Sequence, residues 1–163
     1  MDLQPIVIAA FALGVIALIV QRQLRWTRFD ATRALRTPLV LAVIAAAEVA
    51  LTWSTVRITA TDVALVAAEV AVAAGVGAAM GAMTVFRPAQ GAIDGWETRT
   101  GALGAALWLV LIGLRVGVGY LGPQIGASAA ASTGVLLLVL AAARGATALV
   151  VRSRAPQGAL VSA

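Results

Sequence analysis

The chain has 163 residues, of which 61% are hydrophobic and 12% charged, which is more apolar surface than a water-soluble domain of this length buries. Its 12 basic residues, all of them arginine, outnumber 7 acidic residues and give a formal charge of +5. The chain has no cysteine and no histidine, which excludes disulfides, thiolate or imidazole metal sites, haem ligation by these residues and Cys or His nucleophiles. We therefore expect a membrane protein without a cofactor.

Five apolar segments have lengths that suit a membrane span, which needs about 20 helical residues. They are residues 3–20, 38–55, 63–83, 101–121 and 127–151. In the second segment, Thr37 is expected to be the N-cap and Pro38 to hold the first helical position. The pattern predicts an all-α, polytopic membrane protein: a bundle of five transmembrane helices that forms one integral membrane domain over residues 1–163.

The distribution of arginine predicts the orientation. Arginines follow the first span instead of preceding it, which is the reverse of a signal peptide. If residues 21–37 are cytoplasmic, nine arginines fall inside and only Arg57 falls outside, as the positive-inside rule requires. The nine are Arg22, Arg25, Arg28, Arg33, Arg36, Arg87, Arg99, Arg152 and Arg154. We expect a multi-pass protein of the bacterial inner membrane, N-outside and C-inside.

The first loop, "QRQLRWTRFDATRALR", is basic and amphipathic. A spacing of three residues would place Arg22, Arg25 and Arg28 on one side of any helix formed there. Trp26, Phe29 and Leu35 lie between the arginines, a mixture typical of a segment on a membrane surface. We expect the loop arginines to contact anionic lipid headgroups, in preference to nucleic acid or a docking protein. They are Arg22, Arg25, Arg28, Arg33 and Arg36.

The loop at residues 84–100, "TVFRPAQGAIDGWETRT", contains a turn signal at Asp94-Gly95 that favours a small hairpin. Two GxxxG spacings, at 77–81 and 113–117, permit close approach of a neighbouring helix. The second of them brackets Arg115.

Four ionisable residues fall within the predicted spans: Glu48, Glu69, Arg115 and Arg144. Glu48 lies eight residues, and Glu69 and Arg115 seven residues, from the expected outer ends of their helices, or about 10 to 12 Å. Because a lone charge at this depth costs about 2.5 to 3.5 kcal/mol, we expect Arg115 to pair with Glu48, Glu69 or both. With both, one carboxyl group would be protonated at neutral pH or the site would be wet. Arg144 is expected to snorkel to the inner face.

Several segments together resemble the CcdC-like family of small bacterial membrane proteins. They are "VQRQLRWTRFD", the Gly-rich third span with its loop containing Arg87 and Asp94-Gly95, "WETRTGALGAALWLVLIGLRVG" and "AAARGATALVVRSR". The family is named from a locus linked to cytochrome c biogenesis, and its members largely lack an assigned activity, so the resemblance implies no substrate or cofactor. The absence of Cys and His argues against direct thiol-redox or haem handling here.

Three functional interpretations remain open. The first is a non-enzymatic accessory or assembly partner in the membrane, in which the buried charges specify packing. The second is a small permease or proton-linked carrier that uses Glu48 and Glu69 and needs a homo-oligomer to build its pathway. The third, and least favoured, is a lipid-modifying enzyme that uses the carboxylates and the cytoplasmic arginines. The expected partners are membrane lipids and either a second copy of the chain or another membrane protein.

Overall fold

A computed structural model of the chain describes residues 14, 16–18, 20–53, 58–89 and 96–156. Its long helices are α1 (Ala31–Trp53), α2 (Ala60–Met83), α3 (Gly101–Leu121) and α4 (Thr133–Arg154). Within the described residues, four stretches have the length and hydropathy to cross a membrane: Arg33–Leu51, Ala60–Met83, Gly101–Leu121 and Thr133–Arg154. The chain thus has the helices of a polytopic membrane protein. The first predicted span, residues 3–20, lies largely outside the described residues.

Helix α1 begins earlier than its sequence predicts. Asp30 precedes it, and the Oδ1 of Asp30 accepts a hydrogen bond of 3.0 Å from the Arg33 amide. A carboxylate at this position satisfies one of the free amides at the helix start. The expectation that Thr37 caps the helix and Pro38 opens it is therefore wrong. Pro38 lies inside α1, buried beside Gly145 of α4.

Helix α4 packs against both α1 and α2, and α2 also contacts α3. Helices α2 and α4 run in parallel at close range, because Gly77 lies beside Ala143 and Gly81 lies beside Thr147 and Val150. The Thr147 hydroxyl donates a 2.8 Å hydrogen bond to the Gly77 carbonyl, a polar contact typical of helices that touch through glycine. The core that results contains Ala73, Met80, Trp108, Leu111, Val135, Val139 and Ala143.

The other GxxxG spacing is not a helix contact in the described part of the chain. A Cβ built on Gly113 or Gly117 would meet no described atom within 4 Å. The partner of Arg115 therefore approaches from another side of α3.

The described residues are mainly helical, as the all-α prediction states, but at one end of the bundle three short antiparallel strands form a sheet in the order β1-β3-β2. They are β1 (Thr27–Arg28), β2 (Val85–Pro88) and β3 (Trp96–Arg99). Arg87 lies opposite Glu97 and Thr27 lies opposite Thr98. The antiparallel pairing of β2 with β3 agrees with the hairpin expected around Asp94-Gly95, although those two residues lie outside the described residues.

We call the end that carries this sheet the sheet end, and the opposite end, closed by residues 122–132, the connection end. The connection contains two short 3-10 turns, Pro123–Ile125 and Ala129–Ala131. Ser132 then caps α4, with its Oγ accepting a bond from the Val135 amide. The last helix therefore starts six residues later than the predicted 127, at Thr133.

Arg154 joins two helix ends at the sheet end. Its Nη1 donates to the carbonyl oxygens of Gly81 at 3.0 Å and Thr84 at 3.3 Å, and also to that of Ala82. The last carbonyls of α2 lack intrahelical partners, and a cation at this negative end of the helix is favourable. Arg154 thus ties the end of α4 to the end of α2.

Candidate functional site

Arg115 lies on α3 with its side chain 12% exposed. Its Nη1 donates to the Ala130 carbonyl at 2.7 Å and its Nη2 donates to the Ser132 carbonyl at 2.8 Å. Nη1 also lies 3.3 and 3.4 Å from the two carboxylate oxygens of Glu69 on α2. The shortest hydrogen bonds of the guanidinium group are therefore to the main chain of the connection, and the carboxylate supplies the opposite charge.

The two glutamates of the predicted layer lie in different surroundings. The Glu69 side chain is 4% exposed and is the ion-pair partner of Arg115. Glu48 is exposed on α1, with its Cβ beside Gly134 at the start of α4. The structure therefore brings Arg115 together with Glu69 and places Glu48 on the outside of the bundle.

A second buried carboxylate, Asp62, completes this site and is not among the predicted site residues. Asp62 is 2% exposed. Its Oδ2 accepts bonds from the Thr59 amide at 2.9 Å and from the Thr59 hydroxyl at 2.7 Å. In return, the Thr59 hydroxyl accepts a 3.2 Å bond from the Asp62 amide, so the two residues form a capping box for α2. The pattern Thr59-x-x-Asp62 before an apolar run is the signal that could have identified it.

Asp62 also binds the connection. Its Oδ1 accepts a 3.0 Å hydrogen bond from the Ala130 amide. Ala130 thus donates its N–H to one buried carboxylate while its carbonyl accepts from Arg115. Ala127 and Ala130 are fully buried, at 0% exposure. We call Asp62, Glu69, Arg115 and the backbone of Ala130 and Ser132 the connection cluster.

The polar side chains of the connection cluster are already bonded within the protein, so they are poorly placed to bind or react with a substrate. Within the described residues, every buried side-chain nitrogen and oxygen has a hydrogen-bond partner. A cavity of about 410 Å³ adjoins the cluster between α1, α2 and α4. Apart from Asp62 and Ser132, its walls are apolar. The described residues contain no group of three or more acidic side chains that could hold a metal ion. The arrangement suits the fixing of a loop better than the binding of a polar substrate.

The arginines of the first loop belong to different elements and do not lie on one helix. Arg22 is helical, Arg25 lies in a bend and Arg28 belongs to β1. Arg33 and Arg36 lie on α1, and Arg33 forms an exposed ion pair with Asp30. No single helix runs through the loop, because the main chain at Arg28 pairs with β3; the expected contact of these arginines with lipid headgroups stays a prediction.

Aromatic residues of the same loop pack at the sheet end. The Trp26 ring lies 4.0 Å from the Arg87 guanidinium carbon and 5.1 Å from that of Arg99. Phe29 contacts Phe86 edge to face, with ring centroids 5.7 Å apart. Arg87 is itself bound to Glu97 at 2.7 Å. Cation–π and aromatic contacts therefore fasten this loop to the sheet.

Arg144 lies in the interior of α4, where the sequence placed it. Its guanidinium carbon is 5.0 Å from the ring centroid of Trp108 on α3. Arg144 lines two cavities at the sheet end together with Arg22. Its guanidinium group thus lies beside these cavities and over a buried ring, and the expectation that it snorkels to the inner face stays a prediction.

No protein-family model, curated protein or solved structure matches the chain.

Proposed function

We propose that the protein is a non-enzymatic, multi-pass protein of the bacterial inner membrane that acts as an accessory or assembly partner of another membrane protein. In this proposal the chain crosses the membrane five times, N-outside and C-inside. The resemblance to the CcdC-like family, whose members largely lack an assigned activity, is compatible with such a role.

The proposal depends on one observation: the buried charged side chains bind the main chain of the connection. Arg115 gives its two shortest hydrogen bonds to the carbonyls of Ala130 and Ser132, and Asp62 accepts from the Ala130 amide. These bonds hold the connection on the ends of the helices. A buried, fully bonded charge of this kind specifies packing and need not titrate during function.

The proposed orientation is supported by the charge of the two ends. Successive helices alternate in direction, so the chain segments that contain the nine arginines of the predicted inner side all lie at the sheet end. The described residues of the connection, 122–132, contain no arginine. Under the positive-inside rule, such an asymmetry supports a cytoplasmic location for the sheet end.

The competing carrier would need a wet route to the connection cluster from both sides. The cavity beside the cluster is almost entirely apolar, and Glu69 is nearly closed to the outside at 4% exposure. A proton relay needs water or titrating groups in series, and the second proposed carboxylate, Glu48, lies exposed on α1. These features favour the accessory role.

Proton flux separates the two functions. The full-length protein is reconstituted in liposomes that enclose a pH-sensitive dye, and a pH step is imposed across the membrane. The accessory role predicts that the wild-type protein changes the dye no faster than empty liposomes do. Faster flux that is lost in Glu69→Gln, and kept in the matched Glu97→Gln variant at the sheet end, would establish the carrier and overturn the proposal.

A partner must also exist. Affinity purification from native membranes after mild solubilisation is expected to recover one other membrane protein in a fixed ratio to the chain. Recovery of the chain alone, under conditions that keep it folded, would contradict the accessory role.

A further inference from the structure

Two adjoining cavities open at the sheet end, with volumes of about 590 Å³ and 770 Å³. Both are lined by arginine and threonine side chains contributed by separate elements. The residues they share are Arg22, Thr27, Thr37, Thr98, Arg144 and Thr147. The first cavity adds Arg25 and Arg99, and none of its lining residues is acidic.

The positive charge of these cavities is not neutralised by the described residues. Asp30 lines the second cavity but is paired with Arg33 at 3.2 Å. Glu97 of β3 is paired with Arg87 at 2.7 Å. No ion pair in the described part of the chain involves Arg22, Arg25, Arg99 or Arg144. Arg22 and Arg144 line both cavities. Several guanidinium groups that line one cavity without an ion-pair partner favour the binding of an anion there.

Arg144 is exposed, but it lies within α4 and not at its end. It lies ten residues before Arg154, the last residue of α4, or about 15 Å along the helix. Trp108 beneath it is 6% exposed. Part of the wall of the first cavity is apolar and includes Leu41, Met80 and Leu140. The first cavity therefore combines charged and apolar lining residues.

We propose that this basic cavity binds the phosphate group of an anionic phospholipid, with Arg22 and Arg144 as its principal donors. The planar fork of arginine binds phosphate oxygens in pairs, and several forks from different elements select a phosphate over a single charge. The glycerol and upper acyl chain of the lipid contact the apolar wall. A free phosphate ion shares the headgroup chemistry but would leave that wall without a partner. The inference rests on the membrane location in the proposed function but not on the accessory role.

The test counts lipids on the purified full-length protein by native mass spectrometry, with phosphatidylglycerol as the probe and phosphatidylcholine as the zwitterionic reference. Arg144→Gln is expected to weaken phosphatidylglycerol binding by roughly tenfold. The matched control is Arg152→Gln, which removes the same charge from the same helix at a position that is exposed like Arg144 but lines neither cavity. It is expected to change binding by less than about twofold. Equal losses in the two variants would show charge attraction without a site and overturn the proposal.

Arg22→Gln provides a second, independent variant, since Arg22 belongs to a different element. It is expected to reproduce the loss of lipid binding, and it carries the test alone if Arg144→Gln does not fold. Thermal unfolding in detergent supplies a second readout. Phosphatidylglycerol is expected to raise the unfolding temperature of the wild-type protein and not that of either variant. Unchanged lipid binding in a folded Arg22→Gln or Arg144→Gln protein would overturn the site.

Inorganic phosphate distinguishes the two sources of the headgroup chemistry. In the absence of phosphatidylglycerol, inorganic phosphate is expected to leave the unfolding temperature of the wild-type protein unchanged. A rise that both arginine variants abolish would assign the cavity to free phosphate and overturn the lipid. These outcomes are independent of proton flux, so a failure of the site and a failure of the accessory role can be told apart.

Discussion

Arg115 and Glu69 lie 3.3 Å apart, Nη1 to Oε2, across the contact between α3 and α2. The same guanidinium group donates to the Ala130 and Ser132 carbonyls, so Arg115 links Glu69 of α2 to the connection. An arginine in an apolar helix is tolerated here because its donors are used within the protein.

Neutralising this pair tests whether its members act as a unit. Arg115→Leu leaves a buried carboxylate and two carbonyls without their donor, and Glu69→Gln weakens the charge pairing. Each change is expected to destabilise the protein by about 1 to 3 kcal/mol. The double variant is expected to lose less than the sum, by about 0.5 to 3 kcal/mol of coupling. The free energy of unfolding in detergent measures both effects, and strictly additive losses would show that the two side chains do not interact.

Asp62 is predicted to matter more than an exposed helix cap. Asp62→Ala removes the acceptor for Thr59 and for the Ala130 amide and is expected to cost about 1 to 3 kcal/mol. The matched control is Asp30→Ala at the exposed start of α1, which is expected to cost about 1 kcal/mol or less. Hydrogen exchange of the Ala130 amide provides a specific readout. It is expected to accelerate in Asp62→Ala and to stay unchanged in Asp30→Ala. Acceleration in neither variant would remove Asp62 from the connection cluster.

The parallel contact between α2 and α4 depends on Gly77. A Cβ at this position would collide with the Ala143 carbonyl, and Gly77→Ala is expected to cost about 1 to 3 kcal/mol through overpacking. Gly75 on the same helix has open space around its Cβ position. Gly75→Ala is therefore expected to be neutral or to stabilise by up to about 1 kcal/mol, through helix propensity. Equal effects of the two substitutions on the unfolding temperature would contradict the contact.

Single cysteines report the orientation directly, because the chain has none of its own. Gln124→Cys lies exposed on the connection, and Ser153→Cys lies exposed near the end of α4. A membrane-impermeant maleimide added to intact cells is expected to label position 124 and to label position 153 only after permeabilisation. The reverse pattern would invert the proposed topology.

The helices are the part of the fold that the sequence predicts best, because the length of an apolar run follows from the thickness of the membrane. Their ends were harder to predict. Pro38 looks like a helix start, yet Asp30 provides the first cap and the proline lies inside α1. The turn signal predicts the hairpin of β2 and β3, but β1 escaped prediction because it has only 2 residues, too few to show alternation.

The candidate site, like the fold, was predicted only in part from the sequence. Residue counting gives Glu48, Glu69 and Arg115 a common depth, but depth does not say which side of a helix faces a neighbour. The packing of α2 on α3 favours Glu69, whereas Glu48 lies exposed. The Ala130 and Ser132 acceptors are main-chain carbonyls, which have no signature in the sequence.

The claim that the buried charges hold the connection is tested most directly by hydrogen exchange over residues 122–132 in Arg115→Leu. Several amides in this stretch are protected by hydrogen bonds within it, among them Ala127 to Gly122 and Ser132 to Ala129. Loss of Arg115 is expected to accelerate their exchange by roughly tenfold, which corresponds to about 1.4 kcal/mol of local stability. Leu114→Ala, an exposed neighbour on α3, provides the control and is expected to leave the rates unchanged. Unchanged rates in Arg115→Leu would contradict the account.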